Sequence, residues 1–400
     1  MARVLVINPG SEGHVNPTLG VVRELASRGE EVVYFCIEAY RERVEETGAE
    51  VRTIDEGKFV QAFLSGGRTT LLERVNGLLL TADVVVPSVL AQIEGERFDY
   101  LVHDSMFGCG RLLARLLKLP AVCSCTSFAQ TEASFGRVLA ASAARVPAEI
   151  SASMNETYHR LAEKTKADYG VGIGSPYEAF CNPAPLTIVY TTRAFQPDGG
   201  AFGPSHRFVG PSIAPRAAAD DVDLAALKAK QTIYISLGTV FNQAADFYRL
   251  CFEALGNTEH AVVLSIGSRV RAEELGDIPD NFVVRPYVPQ TNVLQSAKLF
   301  VTHGGMNGVH EALYYGVPLV VIPQSADQPI VAGQVARIGA GVRLETQELT
   351  AARLREAVEH VLGESSYREA AAAMQASLRE SGGYRQAADE ILAFRDRQRH

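Results

Sequence analysis

The sequence predicts an α/β protein made of two doubly wound domains, each with a parallel sheet covered by helices on both faces. Two observations predict it. Short β-branched runs alternate with helix-patterned stretches, and the series occurs twice in 400 residues. Strands buried on both faces read as unbroken apolar runs rather than alternating ones. Residues 4–7, 32–36, 100–102 and 121–124 read that way, with helical segments at 19–27 and 111–117 among them. The second half repeats the pattern at 232–237, 261–266, 282–284, 299–302 and 319–322. Residues 196–230, with Gln-Pro-Asp-Gly-Gly, Gly-Pro-Ser and an Ala/Asp-rich run, read as the join. The expected organisation is a first domain over 1–212, a linker over 213–230, a second domain over 231–383 and a last helix over 384–400. Ala387, Ala388, Ile391, Leu392 and Phe394 give that helix an apolar face, to pack back on the first domain or to cap the second.

Composition narrows the function classes. With 47% hydrophobic and 21% charged residues, the chain can bury a core in each domain and is neither disordered nor repetitive. Its net charge of −8 comes without a Lys/Arg stripe, so nucleic acid is not an expected partner. No segment reads as ~20 consecutive apolar residues, and residues 1–8 lead into a strand rather than an export signal, so no membrane association is expected. The six cysteines are scattered, and Cys123 and Cys125 form a lone C-x-C without the second half of a zinc site. A reduced, cytoplasmic protein is expected, and a monomer.

Open α/β sheets bind ligands beyond the carboxyl ends of their strands, so the residues that follow strands carry the functional signal. Two such sheets place the expected site in the cleft between them. Residues 300–313 read strand, glycine turn, helix, with His303, Gly304, Gly305, Met306, Asn307 and Gly308 at the turn and Glu311 farther along. The glycines let backbone approach a ligand, and the helix N-terminus favours an anion. His303 would add a charged donor if protonated, and Glu311 could grip the vicinal hydroxyls of a ribose; the alternative is an ordinary strand-to-helix turn. Ser236, Leu237, Gly238 and Thr239 close the first strand of the second domain and offer a glycine and hydroxyls to a phosphate. Beyond strand 282–284, Tyr287 could stack on a flat base, Val288 could bond its edge through backbone, and Gln290 could reach ribose or base, unless these form ordinary loop. Asp327 and Gln328 suit the hydroxyls of a sugar, or the cap of the following helix.

Other devices are excluded. No G-x-x-x-x-G-K-[ST] occurs, and the first turn, residues 8–14, is not G-x-G-x-x-G. His310 and Glu311 begin like a zinc-protease motif whose second His is missing, and Asp221 and Asp223 lie in linker composition rather than after a strand.

Taken together, Tyr287 to Gln290, His303 to Glu311, Gly316 to Pro318 and Asp327-Gln328 resemble the nucleotide-sugar signature of family-one UDP-dependent glycosyltransferases. Gly13, His14, Asn16 and Pro17, with Leu237 to Thr239, extend the resemblance to nearly the whole chain. Among members it is most similar to bacterial macrolide- and flavonoid-type transferases of the Bacillus kind. The resemblance implies the GT-B fold, two Rossmann-like domains facing a central cleft. It implies that His303, Asn307 and Gly308 hold the diphosphate, Glu311 the ribose, Val288 and Gln290 the uridine, and Asp327 and Gln328 the sugar. Two positions depart from the usual pattern. Tyr287 stands where plant members commonly have Trp, so stacking is weaker or shared with Phe241, and Gly308 stands where Ser is common.

Glycosyl transfer to a hydroxyl needs a base, and His14, in the turn after the first strand, suits base work near neutral pH. Asp104 ends the 100–102 strand on the same sheet edge and fits as its orienting carboxylate, which is also where the family places its acid. His103 points to the other side of the pleat and reads as structural. The leaving diphosphate is expected on the helix N-terminus and His303 without a metal, and a single base implies inversion at the anomeric carbon. Phe59, Phe63, Met106, Phe107, Phe128, Phe135 and Met154 are candidate walls for a small hydrophobic acceptor, and Thr126 and Ser127 candidate contacts to the transferred sugar. The alternatives are an epimerase acting on a UDP-N-acetyl sugar and a non-catalytic UDP-sugar-binding auxiliary protein.

Overall fold

The structure, a computed structural model, describes residues 1–214, 231–238, 242–325 and 327–398. Thr239, Phe241, Asp221, Asp223 and most of the expected linker lie outside the described residues. The chain divides into two units, Met1–Ser212 with Gly382–His400, and Ile213–Ser381.

The first unit holds a seven-stranded sheet in the order β3-β2-β1-β4-β5-β6-β7. The strands are β1 (Arg3–Ile7), β2 (Glu31–Ile37), β3 (Glu50–Ile54), β4 (Tyr100–Asp104), β5 (Ala121–Cys125), β6 (Leu186–Val189) and β7 (His206–Phe208). Every neighbouring pair is parallel. The unbroken apolar runs follow from burial on both faces. Val4, Val6, Val32 and Tyr34 pack on one side with Val21, Val22 and Leu25 of the helix Glu12–Ser27. Leu5, Ile7, Val33 and Phe35 pack on the other with Val85, Val86 and Val89 of the helix Ala82–Gln92.

The second unit has a six-stranded sheet ordered β10-β9-β8-β11-β12-β13. Its strands are β8 (Thr232–Ser236), β9 (Ala261–Ser265), β10 (Phe282–Arg285), β11 (Ala297–Thr302), β12 (Leu319–Val321) and β13 (Gly341–Arg343), again all parallel. Both sheets reverse direction of winding at one place, between β1 and β4 and between β8 and β11. Those switch points are where doubly wound folds bind ligands.

The last helix, Gly383–Gln398, belongs to the first unit rather than capping the second. Ala387, Ala388, Ile391 and Phe394 join the core that Val21, Val22 and Leu25 begin. Around that seam Arg395 pairs with the buried Glu30, Arg28 with Asp389, and Arg207 with Glu390 at 3.0 Å.

One stretch bears on the expectation that no membrane-spanning apolar run is present. Leu71–Gln92 is a stretch of helix long and apolar enough to cross a membrane. It is two successive helices, Leu71–Leu80 and Ala82–Gln92, and more than half of it is buried inside the fold, with Val75, Leu79, Val85 and Val89 in core clusters. The apolar residues are spread over core-facing positions with Asn76, Thr81 and Asp83 among them, so no unbroken run marks the stretch.

Candidate active site

In the first unit, β1 and β4 lie side by side with Ile7 opposite His103, so the residues just beyond them share one edge. His14 is the third residue of the helix that follows β1, and Asp104 is the last residue of β4. Nδ1 of His14 lies 2.8 Å from Oδ2 of Asp104, whose side chain is shielded from solvent. The other carboxylate oxygen, Oδ1, accepts the backbone N–H groups of Met106 at 2.8 Å and Phe107 at 2.7 Å. Three donors therefore offset the cost of burying this carboxylate. With Nδ1–H given to Asp104, the lone pair of the neutral ring sits on Nε2. The ring is steadied by Phe107, edge-on at 4.9 Å, and Phe63 stands 5.6 Å beyond Phe107.

Two further side chains shape this turn. Asn8, 1% exposed, accepts the N–H of Gly10 at 3.2 Å and donates to the carbonyl of His14 at 2.9 Å. Thr126 places Oγ1 3.1 Å from Nδ1 of His14, so it belongs beside the imidazole. Sequence reasoning missed the role of Asn8, although an Asn before Pro-Gly is a turn signal. His103 turns inward as expected, and burial pushes its pKa down. Among the candidate walls, Phe59 and Phe135 are core residues at 5% and 1% exposure, while Phe63, Met106, Phe107, Phe128 and Met154 are half-buried. The division has a simple cause: apolar residues on an amphipathic helix look alike in sequence whether they face core or ligand.

In the second unit, Gly238 and His303 stand at the corresponding switch point, beyond the paired Ser236 of β8 and Thr302 of β11. The His303 imidazole is wedged between two glycines. A Cβ at Gly238 would lie 2.6 Å from its Cε1, and one at Gly305 would lie 2.6 Å from its Nε2. Gly238 also has φ +74°, in the left-handed region. Burial pushes the His303 pKa down to about 4, partly opposed by the Asp327 carboxylate. Without a ligand, burial therefore favours the neutral His303 ring.

Gly305 is the N-cap of the nine-residue helix Met306–Tyr314, which carries Asn307 and Gly308 in its first turn. The leading N–H groups of such a helix lack intrahelical partners and point toward the Gly304 turn. A Cβ at Gly308 would sit 3.6 Å from Gln290 and Phe300, ordinary contact, so steric crowding of a Cβ does not require glycine there. Gln290 and Glu311 meet: Nε2 of Gln290 donates to Oε2 of Glu311 at 2.6 Å, and Oε1 accepts from Tyr234 at 3.3 Å. Glu311 is 5% exposed, Val288 is 1% exposed, and Tyr287 projects into solvent at 67%. Asp327 occupies the N-cap of the helix Gln328–Arg337 without using its side chain as the cap. Gln328 is buried, and its Oε1 accepts the N–H groups of Gln324 and Ser325.

Residues 249–382 match the family model of the erythromycin biosynthesis protein CIII-like C-terminal domain. The chain is 38% identical to the uncharacterized UDP-glucosyltransferase YojK of Bacillus subtilis, over 98% of this chain and 97% of that one. It is 30% identical to the oleandomycin glycosyltransferase of Streptomyces antibioticus, over 98% and 90%. The crystal structure of the calicheamicin glycosyltransferase CalG4 superposes with a TM-score of 0.83 at 29% identity, covering 99% of both chains. The chain belongs to the family-one glycosyltransferases of GT-B fold, and it is an enzyme that transfers glycosyl groups. Membership sets aside the epimerase and the non-catalytic binding protein.

Proposed function

We propose that the enzyme moves glucose, or a related hexose, from a UDP-sugar to a hydroxyl of a small hydrophobic acceptor such as a macrolide, flavonoid or triterpenoid, with inversion. The observation that carries this reading is the buried His14–Asp104 pair at the switch point of the first sheet. Nε2 of His14 takes the acceptor's hydroxyl proton while its oxygen forms a bond to the anomeric carbon. The bond from that carbon to the diphosphate breaks, and UDP leaves with the electron pair. Asp104 holds the tautomer and stabilises the imidazolium until its proton passes to solvent.

The diphosphate is received by the Gly304 turn, the first turn of the helix Met306–Tyr314 and the His303 ring. Glu311, held by Gln290, takes the ribose hydroxyls, Tyr287 and Val288 the base, and Asp327 the sugar. This donor set supports turnover without a metal. The half-buried Phe63 and Phe107 beside His14 support an apolar acceptor, as does the oleandomycin named for one relative. We further propose a cytoplasmic monomer, in keeping with six free thiols.

The test is an acceptor-by-donor matrix read by mass spectrometry, repeated with a chelator and with His14→Ala. UDP-glucose with a hydrophobic alcohol gives product, the chelator changes nothing, and NMR coupling constants show a β-glycoside. An α-linked product, or full turnover by His14→Ala, refutes the mechanism.

A further inference from the structure

The His14–Asp104 pair leans on the loop that follows β4. The N–H groups of Met106 and Phe107 bond Asp104, and the Phe107 ring lies edge-on to His14. That loop does not hold its shape cheaply. Gly108 and Cys109 are both in the left-handed region, at φ +88° and +53°, and of the two only glycine goes there without cost. Contacts from elsewhere must keep it in place.

One side chain spans it. Asn182, 5% exposed and itself at φ +40°, follows the short helix Pro176–Cys181. Its Nδ2 donates to the carbonyl of Ser105, at the start of the loop, at 3.1 Å, and to that of Ala179 at 3.2 Å. Its Oδ1 accepts the N–H of Arg111, just past the loop's end, at 3.3 Å. Two carbonyls on one side and an N–H on the other fix which way the amide faces. Arg111 then ties back to the same segment, donating to the Pro183 carbonyl and the Glu178 carboxylate, each at 2.8 Å.

We propose that Asn182 is a positioning residue for proton removal by His14: its amide clasps both ends of the 105–110 loop, so that Met106 and Phe107 keep Asp104 in register with the imidazole. It acts through the loop and not on substrate. The inference rests on reading His14 and Asp104 as the catalytic pair.

The test measures kcat and donor KM for Asn182→Gly, with UDP affinity by calorimetry. Glycine takes φ +40° without strain, so the substitution removes the side chain alone. With an aliphatic alcohol as acceptor, kcat falls about tenfold, the scale of lost buried hydrogen bonds, while donor KM and UDP affinity hold. An acidic phenol depends less on a base and loses less than about threefold. In a His14→Ala background the same substitution costs less than about twofold more. Asn182→Asp keeps an oxygen for Arg111 but gives the Ser105 carbonyl no donor at neutral pH, and it is as impaired as Asn182→Gly. Aspartate also tolerates the left-handed region, so this variant carries the same measurements should the glycine one not fold. Native kcat in either variant overturns the proposal. Equal losses on alcohol and phenol, costs that multiply in the His14→Ala background, or a fall in UDP affinity also overturn it, since each marks a general loss of structure. If His14→Ala alone leaves alcohol turnover intact, the catalytic reading fails and takes this inference with it. Any of the other contrary results alongside an impaired His14→Ala enzyme sinks this inference alone.

Discussion

His14 and Asp104, 90 residues apart in sequence, meet at 2.8 Å because their strands are neighbours that point the same way. Asp104→Asn keeps an oxygen for Met106 and Phe107 but turns an N–H2 group toward Nδ1, which forces the wrong tautomer. We expect kcat to fall by about 10²–10⁴-fold with UDP affinity unchanged. A variant with near-native kcat would remove Asp104 from the mechanism.

Glu311 should report on the ribose. Its carboxylate is buried and already bonded to Gln290, so it is fixed before a ligand arrives. Glu311→Ala should weaken UDP binding by roughly 10–100-fold, the scale of a hydrogen bond to a charged group. The same variant should lose discrimination between UDP and its 2′,3′-dideoxy analogue. If calorimetry still shows the wild-type preference, the ribose is held elsewhere.

The glycines around His303 make a steric prediction. Gly305→Ala drives a methyl into Nε2, and Gly238→Ala drives one into Cε1 while holding alanine at φ +74°. Each should cost about 1–3 kcal/mol in stability and raise donor KM. Gly238→Ala should be the worse of the two, since it adds backbone strain. Equal melting temperatures for wild type and both variants would contradict the packing described.

Burial of two histidines sets a pH dependence of stability. His310, 2% exposed, is pushed down to about 3, and His303 to about 4. An unfolded histidine titrates near 6.5, so above that pH neither ring contributes a slope. Below it the unfolded chain binds protons that the folded chain refuses. Stability is therefore lost as pH falls from about 6.5 toward about 4, by about 1.4 kcal/mol per pH unit for each ring. Denaturant unfolding across that range should show the slope, and His310→Leu should reduce it by one proton. An unaltered slope in that variant would mean that His310 takes up its proton in the folded state as well.

Legibility in the sequence followed unbroken apolar runs more than burial: the buried β6, interrupted by Thr187, was missed, while the edge strand β10 was found. β1, β2, β4 and β5 are buried on both faces, read as unbroken apolar runs, and were found. β3, with Glu50, Arg52 and Thr53, and the three-residue β7 and β13 lie at or near sheet edges, where polar residues are tolerated and the signal fades. The glycine turn and its helix were legible because residue types at short spacing define them. The hydrogen bonds that set Asn8, Thr126 and Gln328 in place were not, since they depend on which atoms a turn brings within 3 Å or so. The depressed pKa of His303 was hidden for a similar reason: Ser236 and Gly238, Gly305, and Asp327 come to it from three separate segments.

The final helix makes the amino-terminal unit discontinuous, and that orders events during synthesis. The core that the helix Glu12–Ser27 begins on one face of the first sheet stays incomplete on the ribosome until Ala387, Ile391 and Phe394 have emerged to join it. The later-made unit, Ile213–Ser381, carries its own core in one continuous stretch and can close before the earlier one does. A fragment cut after residue 212 would therefore be a sticky, incomplete body rather than a usable domain, and an enzyme shortened from its far end should fail first at its beginning.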